Sequence, residues 1–407
     1  MKSVSIVGLG YVGLPLAQLF IEKGFMAYGI DANPLRVDEI TRLNPDFEEV
    51  TMEFNNVHKS DIVVICVPTP VYADKTPDVS IINSCLQQVA GQLKPGQLLI
   101  IESTVYPGYC KDIAVPILEE HSGLTVGEDI FLAHCPERIN PGDKVWNVKN
   151  IPRVIGGIND KSLSMALECY VSILEAELYP MTSITEAEAV KMVENTFRDI
   201  NIAFVNELAM SFEKTGIDIT NVIAGASTKP FGFMAHYPSI GVGGHCIPVD
   251  PYYLIESAKN RGYNHRFLSL AREINEGMVE YLFKKIEDAI EEQNLERSGL
   301  KLVVLGIAYK QNQSDTRESP GLRFAKYAAN NGLEVKMYDP YVSGRSDFKS
   351  VDQALSWADV AVIATAHDEF RELTMDSFNM NGVKIVTDGQ NILENNNSET
   401  MYIGVGR

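Results

Sequence analysis

The chain contains no run of about 18 apolar residues, so none of it is expected to span a membrane. It also lacks metal-binding patterns. The six cysteines, at 66, 85, 110, 135, 169 and 246, show no C-x-x-C or comparable spacing, and four lie in or beside apolar segments. That distribution argues against a structural metal and for a reducing, cytoplasmic compartment. Basic charge is scarce as well: 35 Lys and Arg stand against 54 Asp and Glu, a net charge of −19. A nucleic-acid surface is therefore not expected, and any anionic ligand must meet local, specific cations. No small-residue cleavage site follows the apolar stretch at the N-terminus, and the glycine spacing and Pro15 there oppose a signal peptide. What is present is 45% hydrophobic composition over 407 residues, enough for a large core in two or three domains.

Residues 4 to 31, VSIVGLGYVGLPLAQLFIEKGFMAYGID, read as strand, glycine turn, helix and strand. Gly8, Gly10 and Gly13 fit G-x-G-x-x-G between an apolar strand and a helix, where backbone amides can receive a pyrophosphate. Asp31 closes the second strand, where a carboxylate would accept bonds from ribose hydroxyls and repel a 2′-phosphate. NAD is favoured over NADP.

The pattern returns near the C-terminus. LKLVVLGIAY (300 to 309), ESPGLRFAKYAANNG (318 to 332) and EVKMYDP (334 to 340) repeat strand, helix and strand, with Asp339 at the end. SDIVVICVP (60 to 68) corresponds to ADVAVIATA (358 to 366), and QLLIIEST (97 to 104) to VKIVTDG (383 to 389). The fold class is thus α/β, two Rossmann-like doubly wound domains joined by long central helices. The second copy has Gly306-Ile307-Ala308-Tyr309-Lys310 in place of the glycine motif and is not expected to bind NAD. Lys310 and Arg317 stand at its strand end, where they read either as diphosphate contacts or as solvated charges. Between the copies, 185 to 216 and 267 to 294 read as long helices with broad apolar faces, suited to a dimer interface or to packing between domains. The expected domains are 1–184, with the glycine motif for NAD, 185–295, with the long helices, and 296–407, the second α/β copy. Lys191 and Asn195 lie i, i+4 on the first long helix; Lys191 reads as a functional ammonium or as a snorkelling side chain.

One cysteine has a chemically suggestive setting. In Gly243-Gly244-His245-Cys246-Ile247-Pro248-Val249-Asp250-Pro251, Asp250 and Pro251 read as an N-cap and first helical residue, so a helix's positive end would favour a thiolate at Cys246. Two preceding glycines would let the backbone approach a ligand closely. Taken alone, the segment also fits a buried, inert thiol.

These motifs together resemble the UDP-glucose/GDP-mannose dehydrogenase family over essentially the whole chain: GLGYVGLPLA, CVPTP (66 to 70), ESTVYPG (102 to 108), PERINPGD (136 to 143), KMVENTFRDINIAFVNELA (191 to 209), GGHCIPVDPYYL (243 to 254) and YKQNQSDTRESP (309 to 320). The resemblance implies four-electron oxidation of a nucleotide sugar's C6 hydroxymethyl to a carboxylate with two NAD, for surface polysaccharide synthesis. It makes Cys246 the nucleophile, Lys191 the acid/base group, Asn195 and Asp250 its helpers, and sets Thr104 and Glu137 near the nicotinamide and the attacking water. NAD would be held by Gly8, Gly10, Tyr11, Val12, Gly13, Asp31, Arg36, Thr69, Thr104 and Arg317. The UDP-sugar would meet Arg138, Ile139, Lys191, Asn195, Arg198, Lys229, Phe231, Gly243, Tyr309 and Lys310. No metal is implied, and a homodimer or higher homo-oligomer is.

Within the family the chain is similar to members acting on UDP-N-acetylhexosamines. Pro141 stands where UDP-glucose enzymes carry a second glutamate, and TKPFGFMAHYP (228 to 238) resembles the UDP-GlcNAc type more than the UDP-ManNAc type. UDP-ManNAc, UDP-GalNAc and UDP-glucose are the alternatives. Two departures stand out: residues 40 to 60 form a shorter segment than relatives have, and Gln390 replaces an arginine that commonly helps hold the nucleotide. A two-electron hydroxyacid-type dehydrogenase would share the Rossmann unit and a central lysine but would need neither Cys246 nor the second α/β domain. A non-catalytic paralogue should have lost at least one of Lys191, Asn195, Cys246 and Asp250, and all four are present.

Overall fold

Strands that read as unbroken apolar runs can be buried on both faces only in parallel sheets covered by helices. The computed structural model, which describes residues 2–139, 145–395 and 398–407, contains two such sheets. They fall in two compact units: one is the chain up to Glu194 with Tyr252–Tyr263, the other Asn195–Pro251 with Asn264–Arg407.

The first unit holds strands β1 (Ser3–Val7), β2 (Met26–Ile30), β3 (Glu49–Thr51), β4 (Ile62–Ile65), β5 (Leu98–Ile101), β6 (Phe131–His134), β7 (Arg153–Gly157) and β8 (Leu178–Pro180). Their order is β3-β2-β1-β4-β5-β6-β7-β8, and only the β6–β7 pair is antiparallel. The first six follow the order of a dinucleotide-binding sheet. Alternate residues feed the two faces: Val4, Ile6, Leu16 and Phe20 pack on one side, Val63, Ile65, Leu86 and Cys110 on the other. The short segment from 40 to 60 still supplies an edge strand, three residues of β3 paired in parallel with β2.

The second unit holds β9 (Lys301–Leu305), β10 (Glu334–Tyr338), β11 (Val360–Ile363), β12 (Ile385–Asp388) and β13 (Met401–Gly404), all parallel, in the order β10-β9-β11-β12-β13. This is the other common doubly wound order, in which the third strand of the first sheet has no counterpart. The two long helices are Ile184–Glu213 and Arg266–Glu292. The first ends three residues before its apolar pattern suggested. Gly216, at φ +72, reverses the chain after it, and its amide is bonded to the Glu213 carbonyl.

His134, at the end of β6, is fully buried, and neither ring nitrogen makes a well-formed hydrogen bond among the described residues. Burial outweighs a favourable contact with the Ile101 backbone and pulls its pKa from 6.5 down to about 3. The folded pKa lies below the unfolded one, so the unfolded chain takes up the proton first. Stability contributed by this site is complete above pH 6.5 and is lost as pH falls toward 3, by about 1.4 kcal/mol per unit. Glu102, which burial raises, titrates in the opposite sense, so the informative quantity is the difference from a single variant. The urea unfolding free energy of the wild type relative to His134→Leu should drop by more than about 1 kcal/mol between pH 7.5 and pH 5. A difference independent of pH would show that the imidazole is solvated.

Candidate active site

The glycine loop sits between β1 and the Gly13–Glu22 helix, and each glycine meets a different demand. Gly8 has φ +92, and a Cβ there would lie 2.7 Å from the Cys66 carbonyl oxygen; a Cβ on Gly13 would lie 1.9 Å from the Gly8 carbonyl oxygen. These two glycines serve the protein's own packing. Gly10 has no protein atom within 4 Å of the equivalent point, and no side chain caps the helix that follows. A helix start with no side-chain cap, beside open space, is what a dinucleotide pyrophosphate requires, so the residues fit NAD. Tyr11 is 67% exposed at the same turn, with Val12 half-buried at the N-cap. Asp31 accepts the Leu9 amide at 2.9 Å and the Asn33 amide at 2.9 Å, while Arg36 donates to the Leu9 carbonyl at 3.1 Å. Both expected adenosine contacts thus also set the shape of the loop. Thr69 and Thr104 are half-buried after β4 and β5.

Beyond β6 the sequence reading singled out Glu137 and missed what holds it. Arg153, fully buried at the start of β7, stands 3.1 Å from Glu102 and 2.8 Å from Glu137, and Glu102 also accepts the Tyr170 hydroxyl. Glu137 receives the amides of Arg138 and Ile139 at 2.6 and 2.5 Å. Arg138, expected at the sugar, is committed within the protein: its guanidinium bonds both carboxylate oxygens of Glu194 and the Pro152 carbonyl. An arginine within the apolar run PRVIGG was the available signal for a buried charge. Pro141, on which part of the substrate reading rested, lies outside the described residues.

The Ile184–Glu213 helix carries Lys191, buried at 9% exposure, then Glu194, half-buried Asn195 and exposed Arg198. Asn195 donates to the Asp250 carboxylate at 2.5 Å. Asp250 is not the N-cap expected from the sequence: its own amide already donates to the Cys246 carbonyl at 2.8 Å, so the first helical turn opens at Cys246. The thiol is nearer the amide end than the spacing suggested, and the Asp250 side chain is turned to Asn195. The two glycines also have a different reason. A Cβ on Gly243 or on Gly244, which has φ +92, would come within 2.7 Å of the Tyr309 side chain, so the close approach is to Tyr309. Gly244 donates to the Arg317 carbonyl at 3.1 Å, and Arg317 is gripped by both oxygens of Asp315. Burial would raise the Asp315 carboxyl, but Arg317 and, more weakly, His245 hold it below its ordinary range.

Lys310 is half-buried, whereas Lys229 and Phe231 are exposed, the ammonium 4.9 Å from the ring centre. Gln390 donates to the Ala364 carbonyl at 2.8 Å and braces the end of β11. The second sheet's loop is closed to a dinucleotide: buried Asp339 accepts the Ile307 and Ala308 amides and contacts His367. The helix after it begins with Pro320 and is capped by Ser319. No amide end remains open there.

A glycine loop fitted to a dinucleotide at the carboxyl end of a doubly wound sheet defines the class, a nicotinamide-dependent oxidoreductase. Three domains of one family match in series: the NAD binding domain over residues 2–174, the central domain over 185–277 and the UDP binding domain over 303–395. The chain belongs to the UDP-glucose/GDP-mannose dehydrogenase family and is an NAD-dependent oxidoreductase of nucleotide sugars. It is 36% identical to a UDP-N-acetyl-D-mannosamine dehydrogenase of Pyrococcus horikoshii, covering 99% of each chain. It is 35% identical to a UDP-N-acetyl-D-glucosamine 6-dehydrogenase of Pseudomonas aeruginosa, covering 91% of this chain and 92% of that one. The solved UDP-D-ManNAc dehydrogenase of Pyrococcus horikoshii superimposes with a TM-score of 0.93 at 35% identity, over 100% of this chain and 99% of that one.

The glycine geometry separates two variants. Gly13→Ala should lower unfolding free energy by about 2 kcal/mol or more, because backbone must move. Gly10→Ala should leave the melting temperature unchanged yet weaken NADH binding about tenfold, read by fluorescence titration. Unchanged NADH affinity in Gly10→Ala would remove the pyrophosphate from this loop.

Proposed function

We propose that the protein oxidises C6 of a UDP-N-acetylhexosamine from hydroxymethyl to carboxylate, with UDP-GlcNAc as the preferred substrate. The observation that carries the reaction type is the turn at Cys246: its carbonyl accepts the Asp250 amide at 2.8 Å, which sets the thiol at a helix's amide end. A four-electron oxidation needs such a group, because a free aldehyde cannot give up a second hydride until a nucleophile has made it tetrahedral.

NAD, held by the glycine loop and Asp31 with Arg36, Thr69, Thr104 and Arg317 as further contacts, supplies the hydride acceptor for both oxidations. Lys191, buried on its helix, stabilises the alkoxide during the first oxidation and the oxyanions that follow, with Asn195 beside it in sequence by one turn. The Asn195–Asp250 hydrogen bond fixes the amide so that its carbonyl oxygen and remaining N–H are oriented. The Cys246 thiolate adds to the aldehyde carbon, forming a C–S bond and a thiohemiacetal. Oxidation gives a thioester, and water, oriented by Glu137, breaks the C–S bond to release the carboxylate and return the thiol. Two hydride acceptors and one water are consumed per sugar.

UDP-GlcNAc is favoured by the TKPFGFMAHYP stretch, with Lys229 and Phe231 in it as substrate contacts alongside Tyr309 and Lys310. UDP-ManNAc is the second reading, favoured by the 36% identical Pyrococcus horikoshii relative of that specificity. The division of labour follows residues 1–184 for NAD, 185–295 for dimerisation and the thiol, and 296–407 for UDP. Exposed Val193, Phe197 and Phe204 on the long helix support a homodimer. A cytoplasmic role in surface polysaccharide synthesis suits free thiols and a sugar-acid product.

NADH counted per sugar across UDP-GlcNAc, UDP-GalNAc, UDP-ManNAc and UDP-glucose should reach two for the preferred substrate. UDP-glucose should be roughly ten- to a few hundredfold poorer in kcat/KM, since a missing acetamide leaves polar groups unpaired. Cys246→Ser should bind both ligands and make no acid; normal acid formation by it would end the thioester route.

A further inference from the structure

Arg153 belongs to none of the motifs, yet it is the charge around which the first unit's carboxylates gather. A guanidinium loses several kcal/mol of solvation on burial and is retained only where anions and hydrogen bonds replace water. One carboxylate, Glu102, would neutralise it, and that pair is closed off from behind by the Tyr170 hydroxyl, with the Tyr170 ring 5.9 Å from the guanidinium. Glu137 is therefore a second carboxylate on one cation. Burial pushes the Glu102 carboxyl above its ordinary range, and Arg153 opposes that shift.

The two oxygens of Glu137 are treated differently. Oε1 is fastened by the amides of Arg138 and Ile139. Oε2 lies 2.8 Å from Arg153 Nη2, but the N–H is not aligned with it, and among the described residues this buried oxygen accepts no hydrogen bond. Arg153 thus stabilises the carboxylate's charge without occupying the lone pair that would accept a proton from water. The same loop is tied laterally: Arg138 reaches Glu194, on the helix that carries Lys191, and the Pro152 carbonyl next to Arg153.

We propose that Arg153 is a positioning residue for Glu137, clamping the loop after β6 from beneath while the Arg138–Glu194 pair clamps it from the side. The inference rests on the reading that Glu137 orients the water that cleaves the Cys246 thioester. Lysine keeps the charge at 153 but lacks the planar fork that reaches two carboxylates at once.

The test is a double-mutant cycle on the full-length enzyme with NAD and whichever UDP-N-acetylhexosamine it turns over. Arg153→Lys should lower kcat about 10- to 100-fold, the scale of a misplaced group, with KM for sugar and NAD within about threefold. It should also raise the fraction of Cys246 carrying a sugar adduct in acid-quenched intact-mass spectra. In the Glu137→Gln background the same change should have no further effect, because the group it positions is gone. Glu194→Gln, at a half-exposed site that tolerates substitution, should show the same dependence on Glu137 and carries the test if Arg153→Lys does not fold. Effects that multiply in the double variant, or a wild-type kcat in Arg153→Lys, would overturn the positioning role and leave the role of Glu137 standing. A wild-type kcat in Glu137→Gln would overturn both.

Discussion

Carboxylates that accept backbone amides hold the loops at the carboxyl ends of both sheets, and the candidate sites depend on that interaction. Asp31 takes the Leu9 amide after β1, and Asp339 takes those of Ile307 and Ala308 after β9. Asp388 receives Gln390 and Leu393 after β12, and Glu188 reaches from the long helix to Gly108 and Cys110. Loops that turn back at a sheet edge leave amides unpaired, and a carboxylate that accepts them removes that cost while the amides in turn replace part of its lost hydration. Part of the net charge of −19 is thus structural.

The same device gives opposite outcomes in the two sheets. Asp31 is half-buried, and the turn it secures opens at Gly10 onto space that no protein atom fills. Asp339 is buried and is shared with His367, and the Thr365 side chain would meet a Cβ on Gly306 at 2.5 Å. One loop fits a dinucleotide; the other is filled by its own side chains.

Much of the fold could be read directly. The strand–glycine–helix–strand unit and its partial repeat gave both sheets, because parallel strands buried on two faces leave continuous apolar runs that other structures do not produce. The long helices were legible from their period, apart from their ends. A residue's partner far away in the chain leaves no such mark in the sequence. Gly243 and Gly244 lie against the Tyr309 side chain, more than 60 positions on. Arg138 pairs with Glu194, 56 positions further along the chain.

By itself the sequence determined the element order, the loop that receives NAD, the thiol and the helix bearing Lys191 and Asn195. Each is encoded within about thirty residues, and local backbone preferences and hydrophobic period act at that range. Only the tertiary structure decided which polar groups face one another: Arg153 between Glu102 and Glu137, Arg138 on Glu194, Asn195 on Asp250. Most of these pairs form between segments that meet only when the sheet or helix packing closes, and an isolated arginine or glutamate in the chain carries no mark of its partner. The physical reason is burial. Once water is excluded, each charge must take the nearest opposite charge, and which one is nearest is a property of the fold.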